Sequence, residues 1–259
     1  MKPCGIITLL SDFGLQDPYA AEMKGVILSI NPKASLVDLG HLVPAQKISV
    51  GSFRLWRAYR HFPKGTIHLA VVDPGVGTSR KLILAVSTTY FFLAPDNGLL
   101  SPILEETPMR CYDLNPPRWR EAKGFTFHGR DLLAPAAALL SLGKPPQRLG
   151  RPFKRVTRHP SWIITKNRGT VDGKIIDIDR FGNLITNIAV SQLSAERRVH
   201  IFYQKVHLST VERTYGLRKR SRPIAVIGSA GLLEIALPQG NAQKALKGAV
   251  GQKITVRYD

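Results

Sequence analysis

The alternation of short apolar runs with segments of helical periodicity in the first 72 residues is the feature that most constrains the fold. The apolar runs are rich in β-branched residues and predict three buried strands, at residues 5–10, 35–39 and 67–72. Helices are expected at residues 18–30, where Asp17 and Pro18 form a good N-cap and first-turn pair, and at residues 44–59. This order favours a largely parallel sheet flanked by helices, with ligands bound beyond the carboxyl ends of the strands.

The chain is expected to divide into an N-terminal α/β domain, residues 1–156, and a smaller β-rich domain, residues 157–259. The first domain should also contain strands at 82–86 and 90–94 and helices at 99–106 and 129–142. Prolines and basic residues from about residue 143 to 160 favour an extended, solvated linker. Short β-rich segments separated by glycines and turns then predict a small barrel or sandwich, with strands at 169–179, 184–188, 199–208, 224–228, 232–237 and 253–258.

Composition excludes several classes of protein. The 259 residues, 44% of them hydrophobic, are enough to bury a large core, so a disordered chain is not expected. The two cysteines, Cys4 and Cys111, are too few for a disulfide framework. The apolar stretch 132–142 is too short to span a membrane, and the N-terminus does not resemble a signal peptide. We therefore expect a soluble cytoplasmic protein.

The net charge of +19 raises the possibility of nucleic-acid binding through phosphate neutralisation. The basic residues cluster in 144–158 and 213–222, where Phe and Tyr are not interleaved as a stacking platform requires. A solvated basic surface is the favoured interpretation. A nucleic-acid-binding module stays open as a competing hypothesis.

Two polar clusters carry the candidate chemistry. The run VVDPGVGTSR, residues 71–80, ends a strand with Asp73, a glycine loop and Arg80, and Asp12 likewise follows the first strand. His128 stands in the run FHGRD directly before an Ala/Leu-rich helix. Together these loops supply acids, a cation and a base.

The glycine loop matches neither the phosphate-binding loop nor the dinucleotide fingerprint, so a nucleoside triphosphate is not expected at this site. A metal site built from Asp73, His128 and Asp131 is conceivable, but short-range His or Cys pairs are missing, and we expect no metal.

The second domain contains acids and amides around glycine turns at residues 177–187 and again at 228–235 and 240–242. Each turn is compatible with a purely structural role, satisfied by Asx hydrogen bonds, and with a loop that recognises a base. The residues alone leave both alternatives open.

Six strings carry a family resemblance: SDFGLQDPYAAEMKG, VVDPGVGTSR, APDNGLL, TFHGRDLLAPAAA, IDRFGNLITNI and IGSAGLLEIALPQGNAQKAL. In order and form they resemble the S-adenosylmethionine (SAM) hydroxide adenosyltransferases, adenosine-forming SAM hydrolases related to fluorinases and chlorinases. The resemblance covers essentially the whole chain, although segment 216–222 is more basic than we expect of the family.

The resemblance implies a C-terminal β-barrel-like domain and a homotrimer with active sites between subunits. It also implies displacement of methionine from C5′ of SAM by water or hydroxide, without a cofactor. The family's catalytic residues match Asp73, Arg80 and His128. Its adenosine-binding positions match Asp12, Asp73, Asn183, Tyr215, Ser229 and Glu234, and Asp179 matches a position near the methionine moiety.

The halogenating relatives differ at two positions, because this chain has Asp73 and Gly129 where the fluorinase has Tyr and Ser. A carboxylate beside the nucleophile disfavours a halide electrostatically, so hydrolysis is expected over halogenation. A protein that binds or senses adenosine or SAM without turnover is the alternative from another class.

Overall fold

The computed structural model describes residues 1–114, 126–194, 198–217 and 222–259. The chain divides into two compact units, residues 1–159 and 160–259. Within the described ranges, none of the helices has the length and apolar character needed to cross a membrane.

In the first unit, seven strands among the described residues form one sheet. They are β1 (Ile6–Ser11), β2 (Ser35–Gly40), β3 (Ile67–Val71), β4 (Leu82–Val86), β5 (Phe91–Pro95), β6 (Arg110–Asp113) and β7 (Arg151–Phe153). Their order is β2-β1-β3-β5-β4-β6-β7; the β2-β1-β3-β5 part is parallel and the other three strands are antiparallel to their neighbours. Because Ser11 pairs with Val71, the residues that follow β1 and β3 emerge at the same edge.

Helices cover the faces of this sheet. They are α1 (Tyr19–Ile30), α2 (Ile48–Ala58), α3 (Ser101–Glu106), α4 (Ala134–Ser141) and α5 (Pro146–Leu149). Met23 and Ile27, one helical turn apart on α1, pack with the alanines of α4 against Leu9 and Leu69. All five residues of β3 are buried, as expected for a central parallel strand covered on both faces. The predicted α/β class is confirmed.

One local expectation is confirmed with a difference in detail, and one is wrong. A helix is present over 129–141, but it begins as a π-helical turn, Gly129–Leu133, and becomes α-helical at α4, where Pro135 lies in the first turn and needs no N–H partner. The segment expected to be an extended, solvated linker contains α5 and β7. Leu149 is fully buried there and β7 pairs with β6, so tertiary packing overrides the local proline and charge signals.

The second unit is a nine-stranded, barrel-like sheet, counted over the described residues. Its elements are β8 (Thr165–Asn167), β9 (Thr170–Ile178), β10 (Leu184–Ala189), β11 (Val199–Tyr203), β12 (Val206–Leu208), β13 (Val211–Glu212), β14 (Ile224–Ile227), β15 (Leu232–Ala236), α6 (Ala242–Leu246) and β16 (Lys253–Tyr258). The order is β12-β11-β16-β9-β10-β15-β14-β13, with β8 also on β9. The strand expected over 199–208 is a hairpin that turns at Gln204, whose φ is 50°. Residues from most of these strands share one core, which includes Ile175, Leu233 and Ile254.

Candidate active site

The loop after β3 turns Arg80 back onto Asp73. The Val76 N–H donates to the Asp73 carbonyl at 3.2 Å, and the Thr78 hydroxyl donates to the Gly75 carbonyl at 2.7 Å. Gly77 has φ 81°, a left-handed conformation that glycine adopts without steric cost. The glycines therefore make a tight turn whose two ends bring an acid and a cation together.

Asp73 and Arg80 form a two-point ion pair. Arg80 Nε donates to Asp73 Oδ1 at 2.6 Å, and Arg80 Nη2 donates to Asp73 Oδ2. The Arg80 and Asp73 side chains are only 9% and 7% exposed. Charge-assisted pairs of this geometry are strong and directional, and removal of either partner leaves an uncompensated buried charge.

His128 completes the cluster. Its Nδ1 lies 2.8 Å from Arg80 Nη2. Because a guanidinium only donates hydrogen bonds, Nδ1 accepts, and the neutral ring must carry its proton on Nε2. Partial burial, and next the positive charge of Arg80, lower the pKa of His128 below its ordinary value of 6.5, although Asp73 and Asp131 oppose this. The three residues predicted to be catalytic thus form one cluster, in which Arg80 contacts both Asp73 and His128.

The π-helical turn that follows His128 packs against the end of β3, since a Cβ on Gly129 would lie 3.5 Å from Val71 Cγ1. The Asp131 N–H donates to the Phe127 carbonyl at 3.0 Å. A Cβ on Gly129 would lie 3.2 Å from Met23 Sδ and 3.3 Å from the Phe127 ring, so these two side chains would have to shift by a few tenths of an ångström. Glycine therefore allows the turn to pack closely against α1.

Asp12, Asp73 and His128 line one cleft of about 370 Å³, a volume typical of small-molecule sites. Asp12 follows β1, and its Oδ2 accepts the Gln46 N–H at 2.7 Å, while Gln46 has a positive φ of 63°. Asp12 Oδ2 is thereby fixed by the backbone of the loop before α2.

Ser11 and His41 stabilise the loop that contains Asp12. His41 is 5% exposed, and its Nδ1 lies 2.7 Å from Ser11 Oγ. Its Nε2 lies 3.1 Å from Asp38 Oδ1, and its carbonyl accepts the Gly14 N–H at 2.8 Å. Sequence reasoning missed this support because His41 is distant from every motif that it recognised.

Three aromatic rings form one wall of the cleft. Phe13, Tyr19 and Phe127 meet edge to face, with ring centroids 5.3–5.8 Å apart. Sequence reasoning did not assign them a role, although Phe13 directly follows Asp12 and Phe127 directly precedes His128. Their positions beside two site residues were the available signal.

In the second unit, Asp179 and Asn183 lie together in the turn between β9 and β10. Asp179 Oδ1 accepts the N–H groups of Phe181 and Asn183 at 2.9 and 2.8 Å, and Asn183 Nδ2 donates to Asp179 Oδ2 at 2.9 Å. The Asn183 side-chain oxygen is not used in these bonds. Phe181, at the tip of the turn, is 73% exposed.

Tyr215 and Glu234 form a second group in this unit. The Tyr215 hydroxyl donates to Glu234 Oε2 at 2.8 Å, and Glu234 is only 4% exposed. Gly228 admits this carboxylate, because a Cβ there would lie 1.8 Å from Glu234 Oε1.

Ser229 is exposed in the turn between β14 and β15. Leu184 pairs with Ile235 and Ala189 with Leu232, so this turn and the Asp179–Asn183 turn lie at opposite ends of the β10–β15 pair. The structure therefore brings the predicted residues of the second unit together in pairs, but does not place Ser229 beside Asn183.

Two predictions, on the basic segment 216–222 and on metal binding, can be compared with the structure only for the residues that it describes. Within the basic segment 216–222, residues 218–221 lie outside the described part of the chain. Among the residues that are described, no group of three or more His, Cys, Asp or Glu side chains is arranged to hold a metal ion.

Comparison with known proteins gives consistent similarities. Two family models match: the SAM hydroxide adenosyltransferase N-terminal domain over residues 7–150 and the corresponding C-terminal domain over residues 173–255. The chain is 39% identical to an (R)-S-adenosyl-L-methionine hydrolase of Thermus thermophilus, covering 95% of this chain and 96% of the relative. It is 30% identical to a fluorinase of Actinoplanes sp. over 71% of each chain. A crystal structure of an uncharacterized conserved protein from Thermotoga maritima superposes with a TM-score of 0.87 at 32% identity, covering 97% of this chain and 99% of that one.

Proposed function

The chain belongs to the SAM hydroxide adenosyltransferase family, and on that premise we propose that it hydrolyses S-adenosyl-L-methionine to adenosine and L-methionine. The observation that carries this proposal is the contact of Asp73, Arg80 and His128 at the edge of a cleft that Asp12 also lines. The relatives named as SAM hydrolases match almost the whole chain, which supports the same substrate here.

Hydrolysis of SAM requires few catalytic side chains. A sulfonium is already a good leaving group, so no acid has to protonate it, and the enzyme must chiefly orient and activate one water molecule in line with the C5′–S bond. The water oxygen forms a bond to C5′, the C5′–S bond breaks with its electron pair going to sulfur, and the water proton goes to a base. The aromatic wall suits the cationic sulfonium, which is attracted to π faces.

We propose that the three residues have different catalytic roles, and their hydrogen bonds support this division. With Nδ1 engaged by Arg80, neutral His128 offers Nε2–H, so it donates to the water oxygen and does not take its proton. Each Asp73 oxygen accepts one bond from Arg80 and keeps a further lone pair, which makes Asp73 the proton acceptor of the three. Arg80 positions both partners.

Asp12 suits the ribose, because a carboxylate accepts hydrogen bonds from a vicinal diol. We further propose that Asn183, Tyr215, Ser229 and Glu234 contact adenosine and that Asp179 contacts the methionine moiety. These positions belong to the second unit, whereas the catalytic cluster belongs to the first. We propose on that ground a homotrimer with active sites shared between subunits. Membership of the family is the ground for proposing that the enzyme works in the cytoplasm without a metal or redox cofactor.

Chromatography of a reaction containing SAM tests the proposal directly. We expect adenosine and L-methionine in equal amounts, and an Arg80→Ala variant with little activity. The neighbouring Lys81→Ala is the control, because Lys81 pairs with Asp113 outside the cleft and should leave turnover intact.

Three results would contradict the proposal. Adenosine at the level of the enzyme-free reaction, with SAM binding retained in calorimetry, would indicate a binding or sensing protein. Faster formation of 5′-chloro- or 5′-fluoroadenosine than of adenosine would indicate a halogenase. Nucleic-acid retention that survives mutation of Asp12 and Asn183, without turnover, would indicate a nucleic-acid-binding module.

A further inference from the structure

A second and larger pocket lies at the antiparallel edge of the first unit. Its volume is about 760 Å³, and it shares no lining residue with the cleft of Asp73 and His128. We call it the edge pocket; it is lined by Leu104, Met109, Arg110, Cys111, Tyr112, Pro152, Phe153, Lys154, Arg155, Val156 and Arg158.

The charged residues that line the edge pocket are all positive. Four of its lining residues are cations, and none of the described lining residues is an acid. Arg110, Lys154 and Arg155 are exposed and form no ion pair with any described residue. Several cations in the lining of one pocket attract anions, phosphates above all.

The remaining lining is apolar or aromatic. Leu104, Met109 and Phe153 provide this surface, and Phe153 is half-buried. Lys81 Nζ lies 4.3 Å from the centre of the Phe153 ring, which fixes the ring from one side. A ligand that fills the pocket therefore combines several negative charges with a flat or apolar portion.

The backbone of the basic segment is anchored to the protein, although its Lys154 and Arg155 side chains are exposed. Phe153 pairs with Cys111 across β6 and β7. Beyond it, the Thr157 N–H donates to Asp96 Oδ1 at 2.8 Å, and the His159 N–H donates to Ser101 Oγ at 2.7 Å. Anchoring this backbone before a ligand arrives reduces the entropy lost on binding.

We propose that the edge pocket binds a ligand with the chemistry of a nucleoside polyphosphate. The phosphates contact Arg110, Lys154, Arg155 and Arg158, and the base packs on the surface around Phe153. The volume fits one nucleotide-sized ligand, since small-molecule sites occupy roughly 300–1,000 Å³. The pocket also gives a role to the basic segment 144–158, which hydrolysis of SAM does not use.

Calorimetry on the full chain tests this with three probes: uridine triphosphate, uridine and inorganic triphosphate. A pyrimidine is chosen because adenine compounds would compete for the proposed SAM site. We expect uridine triphosphate to bind most tightly, inorganic triphosphate more weakly, and uridine not measurably. Added salt should weaken both triphosphates, since it screens the cations.

Matched variants locate the binding. Lys154→Gln with Arg155→Gln should weaken uridine triphosphate about tenfold or more, since two charge-assisted contacts are lost. Lys166→Gln with Lys174→Gln removes the same charge from exposed sites of the second unit and should change the affinity little. Phe153→Leu should weaken uridine triphosphate but not inorganic triphosphate. SAM turnover should be unchanged in all of these variants.

Three outcomes overturn the proposal. One is the absence of binding by either triphosphate. Another is equal weakening by the two double variants, which would indicate general attraction to a basic protein. The third is a strong preference for a single-stranded oligonucleotide with a steep salt dependence, which would indicate a nucleic-acid surface instead.

Discussion

Two arginine–carboxylate clusters flank His128, and they differ in burial and in what they hold. Arg80 is 9% exposed and binds Asp73 and His128 at the cleft. The Arg130 side chain is 36% exposed, and it binds Asp131 at 2.7 Å and Glu22 of α1 at 2.6 Å. Its guanidinium also lies 4.9 Å from the centre of the Phe127 ring.

The comparison shows that two arginines with carboxylate partners, close to the same histidine, lie in very different environments. Arg130 links Glu22 of α1 to Asp131 of the π-helical turn. Arg80 instead holds the Asp73 carboxylate and the His128 imidazole next to each other at the cleft. The Arg80 cluster works in a poorly solvated site, where charges act more strongly than at an exposed position. Removal of corresponding residues from the two clusters should therefore have very different consequences.

The largest difference is expected for the two aspartates. Asp73→Asn removes the proposed proton acceptor and the counter-charge of Arg80, and kcat should fall on the order of a thousandfold. Asp131→Asn, one turn beyond His128 and outside the cleft lining, should lower kcat by no more than about threefold. Adenosine production over time measures both, with circular dichroism as the check of folding; equal losses would refute the assigned roles.

The two arginines should differ next. Arg80→Lys keeps the charge but cannot contact both Asp73 oxygens and His128 Nδ1 together, so kcat should fall roughly a hundredfold through misalignment. Arg130→Lys should leave kcat within about threefold and only slightly lower the melting temperature. A smaller kinetic effect at Arg80 than at Arg130 would reverse the comparison.

Gly129 lies between the two clusters and should give an intermediate effect. Gly129→Ser places a Cβ 3.2 Å from Met23 Sδ and 3.3 Å from Phe127, so we expect about a tenfold loss of kcat as the ring and His128 shift. Gly129→Ala tests whether volume is the cause and should behave similarly. Neither variant should produce halogenated adenosine while Asp73 is present; a halogenated product from Gly129→Ser alone would refute the electrostatic role of Asp73.

The smallest expected effect is a change in the pKa of His128, and it tests the hydrogen bond between Arg80 and His128 specifically. Burial and Arg80 lower its pKa, so as pH falls below the ordinary 6.5 the unfolded state takes up the proton first. Its contribution to the free energy of unfolding is thus complete above pH 6.5 and is lost as pH falls through the folded pKa.

NMR titration of labelled histidine should show a higher pKa in Arg80→Gln than in the parent chain and little change in Arg130→Gln. The reverse order would contradict the Arg80–His128 hydrogen bond.

Acid unfolding of the whole chain is a separate process that these titrations must distinguish. Burial lowers the pKa of His68 to about 3, so this core histidine is neutral when folded and protonated on unfolding in acid. Circular dichroism recorded at each pH separates loss of the fold from the activity loss governed by His128.

Much of the candidate site follows from local patterns. Apolar runs that end in a carboxylate place Asp12 and Asp73 after adjacent parallel strands, and a glycine loop allows Arg80 to return. The aromatic wall and the His41 support were not predictable in the same way. They depend on side chains that are separated in sequence and meet only after the sheet and α1 pack.

The sequence by itself determined the α/β class and the β-rich second part, and it predicted the candidate residues Asp73, Arg80 and His128, because periodicity and turn residues act over short distances. Tertiary structure decided the tautomer of His128, since that depends on a donor 48 positions away along the chain. It also decided that the basic segment after residue 143 packs as α5 and β7 instead of remaining solvated. Pairing with β6 and burial of Leu149 are long-range interactions, and they outweigh the local preference of prolines and charges.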